Sequence, residues 1–122
     1  MIVVAAMIGS GVGALARWEL GGAVQRRTTS PRPWGTAAVN LVGATLLGVL
    51  VGLGTSDRLS ADAVTVLGTG FCGGFTTFST WMVESVRLGE EGGTAGLIAV
   101  TVNVGAMFAV GVAIAAITVS VT

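Results

Sequence analysis

The sequence predicts an all-α membrane protein that crosses the bilayer four times and whose third helix is broken. Of its 122 residues, 52% are hydrophobic and 10% are charged, against about 25% charged residues in a soluble domain. Four apolar stretches cover most of the chain, and each approaches the roughly 20 residues needed to span a bilayer. Glycines and hydroxyl side chains interrupt the third stretch, where each glycine costs a helix about 1 kcal/mol relative to alanine.

The four predicted helices are joined by short polar segments. The first covers residues 2–24 and is followed by a loop containing arginine and proline, which leads to the second helix at 34–53. The third covers 61–88 and contains the break, and a glycine-rich turn leads to the fourth at 94–119. We therefore predict that residues 1–122 form one four-helix transmembrane domain in the lipid bilayer.

The arginines predict the orientation of these helices. Four crossings place five of the six arginines on one side and only Arg58 on the other; the five are Arg17, Arg26, Arg27, Arg32 and Arg87. Because loops rich in arginine and lysine stay in the cytoplasm, both termini are predicted to lie outside it. The expected location is the cell inner (plasma) membrane, with a single fixed orientation.

The residue types argue against an enzyme and against nucleic-acid binding. The chain has no histidine, no cluster of metal-ligating side chains and no nucleophile beside a base, so catalysis is not predicted. The single Cys72 has no visible activating partner and is interpreted as a buried, unreactive thiol. A formal net charge of zero gives no indication of nucleic-acid binding.

The break in the third helix is interpreted as a binding site. Backbone groups freed at membrane depth are tolerated only where they are buried in protein or line a polar cavity. Free carbonyl groups suit a hard cation such as Na⁺. One chain supplies too few of them for a full coordination shell, but two breaks meeting at the centre of a dimer would supply enough.

An aromatic stripe beside the break predicts either core packing or contact with an anion. Phe75, Phe78 and Trp81 recur at every third position and are expected to lie along one side of the helix. Threonine and serine residues stand between them. Ring edges and hydroxyl groups together can replace the hydration shell of a small anion without a fixed charge that would trap it.

Isolated polar residues in the helices each have two interpretations. Asn40 either forms an interhelical hydrogen bond or donates to a permeating solute, with Thr36 one turn away. Asn103 has the same alternatives, of which packing is favoured. Arg17 either extends to the membrane interface or attracts anions to the mouth of a cavity. Glu84 is expected near the end of its helix, where it can pair with an arginine.

Motifs in all four predicted helices resemble those of one family. The run from Gly70 to Trp81, GFCGGFTTFSTW, closely resembles the GFCGGxTTFSTF signature of the Fluc (CrcB) fluoride channels. GSGVGALARW at 9–18 is similar to that family's GGxxGAxxRY, and GTAAVNLVG at 35–43 is similar to its GTxxVNxxG. Asn103 and the following valine resemble the NV of its last helix.

The resemblance implies an antiparallel dimer that passively exports cytoplasmic fluoride, the basis of fluoride resistance. It implies a structural Na⁺ at the dimer centre, held by the backbone carbonyls of Gly73 and Thr76 of each subunit. The implied fluoride path is lined by Asn40, Phe78, Ser79, Thr80 and Trp81. Arg17 and Glu84 are implied at the aqueous vestibule.

The sequence departs from the family pattern at the path itself. Trp81 replaces the phenylalanine of the family motif, and Trp18 replaces its tyrosine. In the fourth helix, the usual serine is missing, and Gly105, Ala106 and Met107 follow the Asn-Val pair. The bulk of Trp81 would narrow the path, and Met107 removes a hydroxyl from it. The family contains both homodimers and pairs of homologous subunits with fixed, opposite orientations, and the arginine bias fits the second kind.

Two other functions remain open from the sequence. One is a non-transporting partner subunit of a heterodimeric channel. The other is a small four-helix multidrug or cation exporter, which requires a carboxylate within the membrane in its first helix. Only Glu19, beside Arg17, offers such a carboxylate.

Overall fold

The structure, a computed structural model, describes residues 1–30 and 32–122, without the side chains of residues 99, 100 and 103. The alternatives for the Asn103 side chain therefore lie outside the described residues. Every regular element in the described part of the chain is helical. The prediction of an all-α protein is thus confirmed.

The first two elements are long helices, and the third stretch is divided. α1 spans Ile2–Arg26 and α2 spans Trp34–Thr55. After them, α3 spans Ala61–Val64, a π-helical segment spans Thr65–Cys72 and α4 spans Gly73–Phe75. Ser60 begins this stretch as an N-cap, because its Oγ accepts a hydrogen bond from the Ala63 amide at 3.2 Å.

The last element, α5, spans Ser79–Val121 and bends back on itself at Gly93. The φ and ψ angles there are 56° and −140°, a conformation that glycine adopts without steric cost. A Cβ atom on Gly96 would collide with the carbonyl oxygen of Leu88. The two arms of α5 therefore run close together next to the turn, which falls in the glycine-rich segment between the third and fourth predicted helices.

Three stretches of the described chain are long and apolar enough to cross a membrane. They are Ile2–Arg26, Trp34–Thr55 and Val104–Val121. Many of their large side chains are exposed, among them Met7, Leu46 and Ile117. Since lipid rather than water is the solvent for such faces, these are the features of a multi-pass membrane protein.

Glycines bring α1 and the π-helical segment into backbone contact. A Cβ atom on Gly13 would collide with the carbonyl oxygen of Phe71, and one on Gly70 would lie 2.7 Å from the carbonyl oxygen of Ala6. Small residues at a helix crossing are expected in a membrane, where the hydrophobic effect does not drive helices together. The contact fixes α1 against the segment that leads to the break.

The second arm of α5 packs on α2 in the same way. A Cβ atom on Gly48 would lie 2.5 Å from the carbonyl oxygen of Gly111, and one on Gly52 would lie 2.5 Å from Cβ of Thr118. α2 is therefore enclosed between α1 and the arm after Gly93. This arrangement leaves Asn40, in the second turn of α2, facing the break in the third stretch.

We expect Gly13→Ala to destabilise the protein by up to about 2 kcal/mol. Overpacking lowers the stability of a protein by about 1–3 kcal/mol. The higher helix propensity of alanine relative to glycine offsets about 1 kcal/mol of this loss. The matched control is Gly11→Ala, where an added Cβ meets nothing within 4 Å and stability should be equal or higher. Thermal unfolding in detergent, followed by circular dichroism, measures both variants, and equal stability of the two would contradict the close crossing.

Candidate functional site

The chain leaves the helix at Thr76 and resumes it at Ser79. α4 ends with Phe75, and Thr76 is extended, with φ −81° and ψ 161°. The amide and the hydroxyl of Thr76 both donate to the carbonyl oxygen of Cys72, each at 2.9 Å. The carbonyl group of Thr76, by contrast, is turned out of the helical direction by the extended ψ angle.

The side chain of Asn40, in α2, forms hydrogen bonds with both backbone groups of Thr77. Its Nδ2 donates to the carbonyl oxygen of Thr77 at 3.1 Å, and the Thr77 amide donates to its Oδ1 at 3.0 Å. One side chain thus replaces the two backbone hydrogen bonds that the interruption removes from Thr77. Of the two interpretations of Asn40, the interhelical hydrogen bond is present in the structure, and one Nδ2 hydrogen remains for another acceptor.

The side chain of Thr77 starts the following helix. Its Oγ1 accepts a hydrogen bond from the Thr80 amide at 3.3 Å and donates to the Thr80 hydroxyl at 3.1 Å. The first amides of a helix have no partner within the helix, so this contact satisfies one of them. Thr77 is buried, whereas Ser79 and Thr80 are exposed.

The aromatic residues separate into two pairs on either side of the break. Phe75 is buried, with 4% of its surface exposed, and stacks on Phe71 with ring centroids 5.6 Å apart. Phe78 is 72% exposed and meets Trp81 at 5.9 Å with a 47° tilt. The prediction that Phe75, Phe78 and Trp81 share one side of a helix is wrong, because the helix is interrupted between Phe75 and Phe78.

A cavity of about 440 Å³ lies beside the break. It brings together five of the residues predicted for ion binding, and none of the described residues that line it is charged. The residues of interest in its wall are Asn40, Gly73, Thr76, Phe78, Trp81 and Met107. The predicted cation ligands and part of the predicted anion path therefore share one uncharged space.

A second cavity, of about 720 Å³, is lined by charged groups. Arg17 and Glu84, both predicted at a vestibule, line it together with Thr36, Thr80 and Arg87. The Thr36 hydroxyl donates to Oε1 of Glu84 at 3.0 Å. Oε2 of Glu84 is buried and has no hydrogen-bond partner among the described residues.

Arg17 extends from α1 back to the break rather than out to the membrane interface. Its Nη1 donates to the carbonyl oxygen of Thr76 at 3.3 Å. The same guanidinium lines the larger cavity. Thr77 lines both cavities, so the break forms the wall between the charged and the uncharged space.

The backbone at the break has carbonyl groups outside the regular helical hydrogen-bond pattern. No group of three or more His, Cys, Asp or Glu side chains in the described part of the chain could hold a metal ion. Backbone carbonyl groups are the other candidates: that of Thr76 leaves the helical direction, and Gly73 is exposed, with nothing within 4 Å of where a Cβ would stand. The Thr77 amide is bonded to Asn40 instead of to Gly73. Two carbonyls are too few for a complete shell, so the residues fit a Na⁺ only if it is shared.

The partner residues in three polar contacts of this site were not predicted. These contacts join residues far apart in the chain: Asn40 with Thr77, Arg17 with Thr76, and Thr36 with Glu84. The sequence contained one signal for them, since each pairs a single polar side chain in an apolar helix with the interrupted segment or the helix that follows it. Such residues need partners within the membrane.

Comparison with known proteins agrees with the motifs. Residues 4–119 match the family model described as CrcB-like protein, Camphor Resistance (CrcB). A Mycolicibacterium paratuberculosis protein named Fluoride-specific ion channel FluC 2 is 55% identical over 86 residues, which are 70% of this chain and 66% of that protein. A Mycobacterium tuberculosis protein of the same name is 46% identical over 90 residues, 74% of this chain and 68% of that one.

A third relative is aligned over more of the chain. The Nocardia farcinica protein named Fluoride-specific ion channel FluC 1 is 42% identical over 108 residues, covering 84% of this chain and 73% of that protein. The first alignments span about two thirds of the length of the relatives. These relatives are named as ion channels and not as enzymes, which confirms the prediction that the chain is not an enzyme. The match over residues 4–119 and these identities show that the chain belongs to the CrcB family.

Proposed function

We propose that this chain is a subunit of a fluoride-selective channel that lets cytoplasmic fluoride leave the cell passively. The observation that carries the proposal is the uncharged cavity beside the break, where an amide, an aromatic pair and threonine residues meet. The relatives described above are named for fluoride, and the chemistry of the cavity fits that ion.

The cavity offers donors without a full positive charge. One hydrogen of the Asn40 Nδ2 is engaged with Thr77, which leaves the second for an anion. The exposed ring of Phe78 presents a positively polarised edge. Because an ion that conducts must leave as readily as it enters, the absence of charged residues among the described lining residues favours permeation over trapping.

The larger cavity has the composition of a vestibule. Four arginines line it, Arg17, Arg26, Arg32 and Arg87, against the two glutamates Glu84 and Glu91. An excess of positive charge raises the local concentration of anions. Thr80 lines this cavity and its hydroxyl accepts a hydrogen bond from the Thr77 hydroxyl, so hydroxyl groups lead from the vestibule towards the break. Ser79 extends the same hydroxyl track on the exposed side of α5.

A structural Na⁺ shared by two subunits belongs to this proposal. The carbonyl groups of Gly73 and Thr76 would hold it, and two subunits together would supply the four oxygens that one cannot. The ion would neutralise the carbonyl dipoles at the break and join the two breaks at the dimer centre. Backbone carbonyls of unwound membrane helices are suitable Na⁺ ligands.

The second subunit is proposed to insert in the antiparallel orientation. The exposure of Gly73 and Phe78 leaves the break open on a face that a partner can cover. The arginine bias predicts a fixed orientation with both termini outside the cytoplasm. A homologous partner of opposite orientation is therefore favoured over a second copy of this chain.

A specific observation supports a second candidate function, a non-transporting half of a heterodimeric channel. Trp81 and Met107 line the same cavity as Asn40 and Phe78, where an indole reduces the available width and a thioether replaces a hydroxyl. The exporter is disfavoured, because Glu19 is exposed on α1 and lines neither cavity.

We expect Phe78→Leu to lower fluoride efflux from liposomes about tenfold or more, because leucine keeps an apolar side chain but has no polarised ring edge. A fluoride electrode measures the efflux, from liposomes holding this chain with its oppositely oriented homologue. Met82→Leu is the control, since Met82 is exposed on α5 and lines neither cavity. Unchanged efflux in Phe78→Leu would refute the ring-edge role, and equal chloride efflux by the unmodified protein would refute selectivity.

We expect the double variant Trp81→Phe with Met107→Ser to raise fluoride efflux several-fold, because it widens the cavity and restores a hydroxyl to its wall. Trp34→Phe is the control, because Trp34 lies at the start of α2 outside the 440 Å³ cavity. The same assay is run with this chain alone and with the homologue. Robust efflux by the chain alone, with equal insertion in both directions, would contradict a fixed-orientation heterodimer.

A further inference from the structure

One peptide group connects α1, the break and α2. The Thr76 carbonyl accepts from the Arg17 guanidinium at 3.3 Å, and the Thr77 amide donates to Asn40 Oδ1 at 3.0 Å. These carbonyl and amide groups belong to the same trans peptide unit, so the two contacts stand at opposite ends of one dipole. The carbonyl end is also one of the two ligands proposed for Na⁺.

We propose that Arg17 competes with the cation for the Thr76 carbonyl, and so sets how tightly the metal binds. The guanidinium satisfies a carbonyl that the broken helix leaves without a helical partner. The inference rests on the cation site of the proposed function. It adds a residue that carries positive charge to the immediate surroundings of that site.

The direction of the effect follows from charge. A guanidinium forms a charge-assisted hydrogen bond with a carbonyl, which is stronger than a neutral one. A metal ion must either displace that bond or bind beside a full positive charge, and both reduce its affinity. Arg17 is only partly exposed, so water screens the repulsion incompletely.

The carbonyl is held in place without Arg17. The amide and hydroxyl of Thr76 bond to Cys72, and both backbone groups of Thr77 bond to Asn40. Removing the guanidinium therefore removes a competitor and leaves the ligand in position. If Arg17 instead positioned the carbonyl, its removal would lower the affinity for the cation. Competition predicts a higher affinity, so the direction of the change distinguishes the two roles.

Competition also has a reciprocal consequence. If Arg17 weakens cation binding, the cation must weaken the hold of Arg17 on Thr76 by the same factor. The released guanidinium faces the cavity that it lines with Thr36, Glu84 and Arg87. Cation binding at the break would thus release a guanidinium that already lines the proposed anion vestibule from its carbonyl partner.

The test is a Na⁺ titration of the purified full chain, assembled with its partner in detergent without fluoride. N-methyl-D-glucamine replaces Na⁺ at constant ionic strength, and the thermal unfolding temperature is the readout. We expect Arg17→Gln to lower the Na⁺ concentration at the midpoint about tenfold, the factor expected for loss of one charged hydrogen bond. Arg87→Gln, which removes a charge from the same cavity, should stay within about twofold of the unmodified protein.

Arg17→Lys provides a second test if the glutamine variant does not fold. Lysine keeps the charge but has a single ammonium group in place of the planar guanidinium, so the midpoint should fall by less than in Arg17→Gln. An unchanged or raised midpoint in the Arg17 variants would overturn the competition while leaving the cation site standing. No Na⁺ dependence in the unmodified protein would refute the cation site itself and this inference with it.

Discussion

The pairing of Asn40 with the backbone of Thr77 is the contact on which the rest of the site depends. Without it, the interruption would leave an amide and a carbonyl without partners, at about 1–3 kcal/mol for each buried group. Because both groups of Thr77 bond to α2, the amide does not return to α4, and the carbonyls on that side stay available. The same pairing positions Thr77 so that its hydroxyl accepts a hydrogen bond from the Thr80 amide in the first turn of α5. One amide side chain thus makes an interrupted helix tolerable at membrane depth.

A second constraint, the crossing of α1 over the π-helical segment, brings Arg17 to the break. Gly13 lies against the carbonyl of Phe71, and Arg17, one turn further along α1, meets the carbonyl of Thr76. A side chain larger than hydrogen at Gly13 would move α1 away and carry the guanidinium out of reach. By allowing this close packing, the glycines of α1 determine where the positive charge of Arg17 lies.

The sequence predicts the elements of this protein better than their mutual contacts. Composition and hydrophobic length are sufficient for the helical membrane architecture, since a continuous apolar stretch of about 20 residues spans the bilayer as a helix that satisfies its own backbone hydrogen bonds. The pairs Asn40–Thr77, Arg17–Thr76 and Thr36–Glu84 are 37, 59 and 48 residues apart. They depend on how each helix is rotated about its axis, and glycine-rich helices with apolar residues on every side carry little information about rotation. The aromatic stripe failed for a related reason, because its spacing assumed the helical repeat to continue through a segment where the helix is interrupted.

The peptide unit between Thr76 and Thr77 connects the Arg17 contact to the Asn40 contact. A positive charge at the Thr76 carbonyl, whether guanidinium or metal, polarises the peptide unit and strengthens the hydrogen bond from the Thr77 amide to Asn40. Accepting a stronger bond at Oδ1 makes the Nδ2 hydrogens of Asn40 better donors, because the two ends of an amide are conjugated. One of these hydrogens is bound to Thr77, and the other is available to the uncharged cavity. A positive charge at the Thr76 carbonyl therefore strengthens the donor that Asn40 presents to the cavity lined by both residues, without adding a charged side chain to the described lining of that cavity.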